Sequence, residues 1–101
     1  MGAMEMSDAQ INLAIAKIEY PDGSYPQFDT PVSGLAVDYC DSWSDIGPII
    51  ARQKIDLTFI GDAWCAEWGD YDYSGKRFAI AEADTPTKAA ALCYLRMKGG
   101  E

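Results

Sequence analysis

Apolar residues fall at helical spacing in three stretches of this chain, and at alternating spacing between the second stretch and the third. Ile11, Ala14, Ile15 and Ile18 recur at i, i+3, i+4 and i+7, which predicts an amphipathic helix over residues 8–18. Ser7-Asp8-Ala9-Gln10 has the form of a capping box, with Ser7 and Gln10 satisfying backbone N–H groups that the first turn leaves unbonded. Trp43, Ile46, Ile49 and Ile50 define a second helical face. Pro48 has no N–H and clashes inside a helix, so this second helix is predicted to begin late, near Ser44 or Gly47, and to end near Lys54. Ile55, Leu57 and Phe59 then alternate with Asp56 and Thr58 as in a half-buried strand, and Gly61-Asp62 suits a tight hairpin. In the strand that follows, Trp64, Ala66 and Trp68 share one face and Ala63, Cys65 and Glu67 the other. Residues 69–76 read as a polar loop carrying tyrosines, and Arg77 to Ala83 as a third strand with Phe78 and Ile80 on one face.

Thr85-Pro86 opens the last helix, the threonine as cap and the proline at the first helical position. Ala89 to Leu95 is apolar nearly all round, which predicts a well-buried helix, and Gly99 ends it. Between Tyr20 and Asp38, Pro21-Asp22-Gly23, Pro26 and Pro31 predict turns and extended segments, with Leu35-Ala36-Val37 a candidate short strand. The order from Ser44 onward is α-β-β-β-α, preceded by one further helix. The predicted class is α+β: a three-stranded antiparallel meander, with an optional short fourth strand, packed against two or three helices. At 101 residues the chain has room for one domain, set at residues 6–101. Met1-Gly2-Ala3 has the look of a cloning remnant, and 1–5 is taken as a start outside the domain.

Sixteen acidic residues against eight basic ones give a net charge of −8, and there is no histidine. That balance opposes contact with DNA, RNA or anionic membrane, which rests on clustered Lys and Arg. Double-stranded-RNA-binding domains share the α-β-β-β-α order, but they need basic residues where this chain has Gly69-Asp70-Tyr71-Asp72-Tyr73. No apolar run reaches membrane-spanning length, and no signal-peptide pattern opens the chain. Cys40, Cys65 and Cys93 are odd in number and widely spaced, which fits reduced thiols in a cytosolic protein.

The candidate chemistry is sparse. Without histidine, and without phosphate-loop, dinucleotide or nucleophile-elbow patterns, no catalytic set can be assembled, no cofactor is implied, and the chain is read as non-enzymatic. Asp70-Tyr71-Asp72-Tyr73-Ser74-Gly75 copies the first half of an EF-hand loop, but the twelfth position, where a bidentate Glu belongs, is Ala81. A polar hairpin loop is the better reading, and no metal site is assigned. Asp38-Tyr39-Cys40-Asp41-Ser42-Trp43 admits two readings. Either it is an ordinary helix start stapled by Trp43, or Asp38, Tyr39, Asp41 and Trp43 form an exposed acidic-aromatic patch for a protein partner. Tyr71 and Tyr73, on the loop, are the other candidate contact residues. Trp64 and Trp68 offer an alternative, a stacking wall for a small molecule or nucleotide. Nucleic-acid mimicry by the acidic residues is a further alternative, and an exposed strand edge after Phe78 could pair two copies into a homodimer.

Two segments also resemble a known family. Met6-Ser7-Asp8-Ala9-Gln10-Ile11-Asn12, followed by Asp38 to Asp45 running into Gly47-Pro48-Ile49-Ile50, is similar to the NinX-type proteins of lambdoid phages. Thr85-Pro86-Thr87-Lys88-Ala89-Ala90, continuing through Tyr94 to Lys98, resembles that family's closing helix. Thr85 stands where the family often has Asn, a conservative exchange for a cap. The resemblance implies a small phage or prophage accessory protein, acting in the host bacterial cytoplasm. It assigns no catalytic residues; with the acidity and the missing catalytic set, the expectation is a protein that binds a host or phage protein and so modulates replication, recombination or defence.

Overall fold

Ser7 begins the first helix as its spacing requires. In a computed structural model, which describes residues 7–24 and 37–98, the Ser7 hydroxyl accepts from the Gln10 amide and the Gln10 side chain accepts from the Ser7 amide. Helix α1 spans Asp8–Glu19, α2 Trp43–Gln53 and α3 Pro86–Met97; strands β1, β2 and β3 span Asp56–Ile60, Ala63–Tyr71 and Arg77–Ala83. The strands form one antiparallel sheet in the order β1-β2-β3. The fold is therefore α+β, with the predicted meander.

Two boundaries differ from expectation. α2 starts at Trp43, so Pro48 lies inside it rather than in its first turn. The proline cannot donate to the Ser44 carbonyl, but Ser44 and Pro48 both face solvent, where water can satisfy that group. β2 runs on through Gly69, Asp70 and Tyr71, which shortens the expected loop to residues 72–76. A register shift between Trp68 and Tyr71 permits this extension. It requires Gly69, at φ +96, because a Cβ there would stand 2.7 Å from the Cβ of Phe78. On β3 the buried positions are Ala79 and Ala81, while Phe78 is exposed. The candidate strand Leu35-Ala36-Val37, the remnant at 1–5 and Gly99 lie wholly or largely outside the described residues, and Val37 itself is in no strand.

α3 is the centre of the packing. Thr85 caps it by accepting from the Lys88 amide, and Pro86 opens it. Ala89, Ala90, Ala91, Cys93, Tyr94 and Leu95 are buried, so one side of the helix meets β2 and β3 and the other meets α1 and α2. Ala66, Ala79 and Ala81 form the sheet's buried counterpart, leaving little side-chain bulk between helix and sheet. Leu57, Trp64, Trp68 and Ala83 pack half-buried around them. From the helical side Ile11, Ile15, Ile46 and Ile49 complete the core.

A polar knot ties the three helices together. The Tyr94 hydroxyl of α3 donates to Glu19 of α1, and Arg52 of α2 donates to both Glu19 oxygens, at 3.3 and 2.9 Å. Burial works against ionisation of Glu19, but the bonds from Tyr94 and Arg52 outweigh it and hold the pKa below its ordinary 4.5. A lowered folded-state pKa adds stability that is complete above the unfolded value and is lost as pH falls through the folded one. Tyr94→Phe is accordingly expected to cost about 1–2 kcal/mol at neutral pH, allowing for solvent around Arg52. Urea unfolding against pH should show that deficit shrinking below pH 4.5, as Glu19 becomes protonated.

Candidate binding surface

The segment before α2 is held by a residue from α1. The Asn12 side chain donates to Asp38 Oδ1 and accepts from the Cys40 amide, both at 3.0 Å. The Cys40 carbonyl accepts from the Thr87 hydroxyl of α3 at 2.7 Å, and the Asp38 amide donates to Asp45 Oδ2 at 2.8 Å. Tyr39 lies inside the core, only 4% exposed. Burial first, then the neighbouring Tyr20 and Glu19, push its hydroxyl up to about 12. The expected four-residue patch is thereby corrected: Tyr39 is inside and Asp38 is engaged, which leaves Asp41 and Trp43 facing solvent. Trp43 is 54% exposed as the first residue of α2, so it does not staple the helix start either. Asn12 was not among the candidate residues. Its one trace in the sequence is a polar residue adjoining the apolar stripe of α1, beside Ile11.

The far end of β2 is different. Tyr71 closes the strand, two-thirds exposed, with the Arg77 guanidinium 5.4 Å from its ring centroid. Tyr73, at the turn, is fully exposed. The turn itself is rigidly closed. Asp72 Oδ1 accepts from the Ser74 amide at 2.9 Å, the Ser74 hydroxyl at 2.6 Å and the Lys76 amide at 3.0 Å. The Asp72 amide donates to the Lys76 carbonyl at 2.7 Å, and Gly75 takes φ +89. In this EF-hand-like run the Asp72 carboxylate is thus spent on the turn, and those hydrogen bonds hold its pKa below the usual carboxylate value. Among the described residues no group of three acidic or thiol ligands converges on one point.

Trp64 and Trp68 share a sheet face but serve opposite ends of β2. Trp64 packs on Phe59, with ring centroids 5.3 Å apart. Trp68 donates its indole N–H to the Gln53 carbonyl at 2.7 Å and meets Phe78 edge-on at 5.7 Å. Trp68 and Phe78 wall an open groove of about 700 Å³ that also takes in Gln53, Lys54, Asp70 and Met97. Trp64 does not reach it. Arg77 borders the groove but is committed elsewhere, donating to the Gly69 carbonyl at 2.8 Å and pairing with Asp56 and Glu67.

The ionisable groups are arranged for structure. Burial pushes the Cys40 and Cys93 thiols up to about 12, and burial followed by Glu67 raises Cys65. Asp8 pairs with Lys88, Glu19 with Arg52, and Asp56 and Glu67 with Arg77. No described helix is long and apolar enough to cross a membrane.

Residues 3–98 match the family described as Bacteriophage P22, NinX, so the chain belongs to that phage family. Searches of curated proteins and of solved structures returned no match.

Two outcomes follow from the geometry. Asn12→Ala leaves the Asp38 carboxylate and the Cys40 amide without their partner, and should lower stability by about 2–3 kcal/mol in urea unfolding. All three cysteines should react slowly with a thiol-exchange reagent in the native protein at pH 8, and promptly once it is unfolded.

Proposed function

We propose that this phage accessory protein works by binding, without catalysis of its own, a protein of the host or of the phage. The observation that carries the reading is the Asp72-closed turn, which presents Tyr71 and Tyr73 to solvent on a fixed backbone. Tyrosine offers a large amphipathic contact area with few rotatable bonds, and a prearranged loop has already met its ordering cost before any partner arrives. The adjoining groove at Trp68 and Phe78 extends the same surface with apolar walls. Asp41 and Trp43 form a second, smaller candidate contact at the start of α2. The missing histidine and the raised thiols support a non-enzymatic role, and the net charge of −8 favours a basic protein partner over a nucleic acid. The pairing of Asp8, Glu19, Asp56 and Glu67 with basic residues thins any continuous anionic stripe of the kind nucleic-acid mimicry needs.

The groove also favours a second reading, a small planar ligand lying against Trp68. The two readings separate experimentally. Affinity capture from bacterial lysate and from phage-infected cells should retain a partner with the wild-type chain, and lose most of it with Tyr71→Ser, Tyr73→Ser. Retention at the wild-type level by that double variant would refute the hairpin surface. A saturable change in tryptophan fluorescence with nucleotides or metabolites, abolished in Trp68→Phe, would favour the small ligand instead.

A further inference from the structure

Among the described residues β1 and β3 each pair with β2 alone, so both have an outer edge without a strand neighbour. Such edges are templates for pairing unless something blunts them. The β3 edge is blunted. Its Ile80 carbonyl accepts a hydrogen bond from the Arg96 guanidinium. Among the described residues β1 has no such contact. Asp56-Leu57-Thr58-Phe59-Ile60 contains no Pro and no Lys, pairs with β2 in unbroken register, and makes no described backbone hydrogen bond outside the sheet. Phe59 and Ile60 are 56% and 61% exposed. The strand's one charge, Asp56, is ion-paired with Arg77. In a chain of net charge −8, this is an apolar edge with a single carboxylate of its own.

We propose that β1 is an interface between two copies of this chain, paired antiparallel about a two-fold axis through Thr58 so that their three-stranded sheets become continuous. That register alone gives all five β1 residues a partner: Asp56 meets Ile60, Leu57 meets Phe59, and Thr58 meets Thr58. It is chemically self-consistent. Leu57 and Phe59 lie opposite Ala66 and Trp64 on β2, on the helix-bearing face, so each Phe59 ring covers the other copy's half-buried Leu57. Asp56 faces an isoleucine rather than a second acid, which avoids the like-charge contact that destabilises cross-strand pairs. The interface is separate from the Tyr71 and Tyr73 turn, which lies past the opposite end of β2 and stays open in the dimer.

Sedimentation equilibrium of the full chain, from low micromolar to millimolar concentration, should show a concentration-dependent dimer. Thr58→Lys and Thr58→Asp each set like charges face to face on the axis, and each alone should weaken the dimer by up to about fivefold. An equal mixture of the two variants should regain or exceed wild-type association, because Lys then faces Asp; a folding defect could not produce that recovery. Glu82→Lys, exposed on β3, should leave association unchanged. A chain monomeric throughout, a dimer indifferent to both Thr58 variants, or one weakened equally by Glu82→Lys would overturn the proposal.

Discussion

Burial of α3 on both of its sides is the constraint from which the remaining architecture follows. A three-stranded sheet with one apolar face needs a layer to cover that face. α1 and α2 carry narrow apolar stripes that need a surface to meet. One helix serves both needs, with Ala89, Ala90 and Cys93 fully withdrawn from solvent between the two layers. The alanines of β2 and β3 are the matching half of that arrangement, and substitution there by anything larger has to push the layers apart. The polar contacts are arranged around the same helix. Thr87 fixes the Cys40 carbonyl and Tyr94 reaches Glu19, so α3 also supplies the hydrogen bonds that orient α1 and the approach to α2.

Much of this was legible in the amino-acid sequence, because the signals were periodic or local. The capping box at Ser7, the Thr85-Pro86 opening and the alternation through β1 and β2 each depend on residues close together in the chain. The departures arise where distant groups decide. Pro48 argues for a late helix start on local grounds, yet solvent at Ser44 makes the interior position tolerable. Periodicity cannot say that the alanine face of β3, rather than its Phe78 face, would be covered, since that depends on how closely α3 approaches.

The binding surface shows the same division. Tyr39 looked as available as Tyr73 when only composition and position were known. One is buried in the core beside Cys40, whose backbone is bonded from α1 and α3, and the other stands clear on a turn closed by its neighbour Asp72. Asn12 holds the residues on either side of Tyr39 by two hydrogen bonds that span 26 and 28 positions of sequence, and no local rule reaches that far. The Asp72 turn, by contrast, involves only residues 72–76. The hairpin reading preferred there over half of a calcium loop accordingly needed only local residues.

The position of α3 along the chain has a consequence for how the protein is made. Every other described element is synthesised before it, and each of them meets it in the finished fold. Until α3 is available, the segments that become the sheet, α1 and α2 lack the layer that they pack against in the finished fold. Apolar surface such as the Trp64 and Trp68 face is of the kind that makes an incompletely folded chain prone to aggregate. Closure of the domain therefore waits on its last described element.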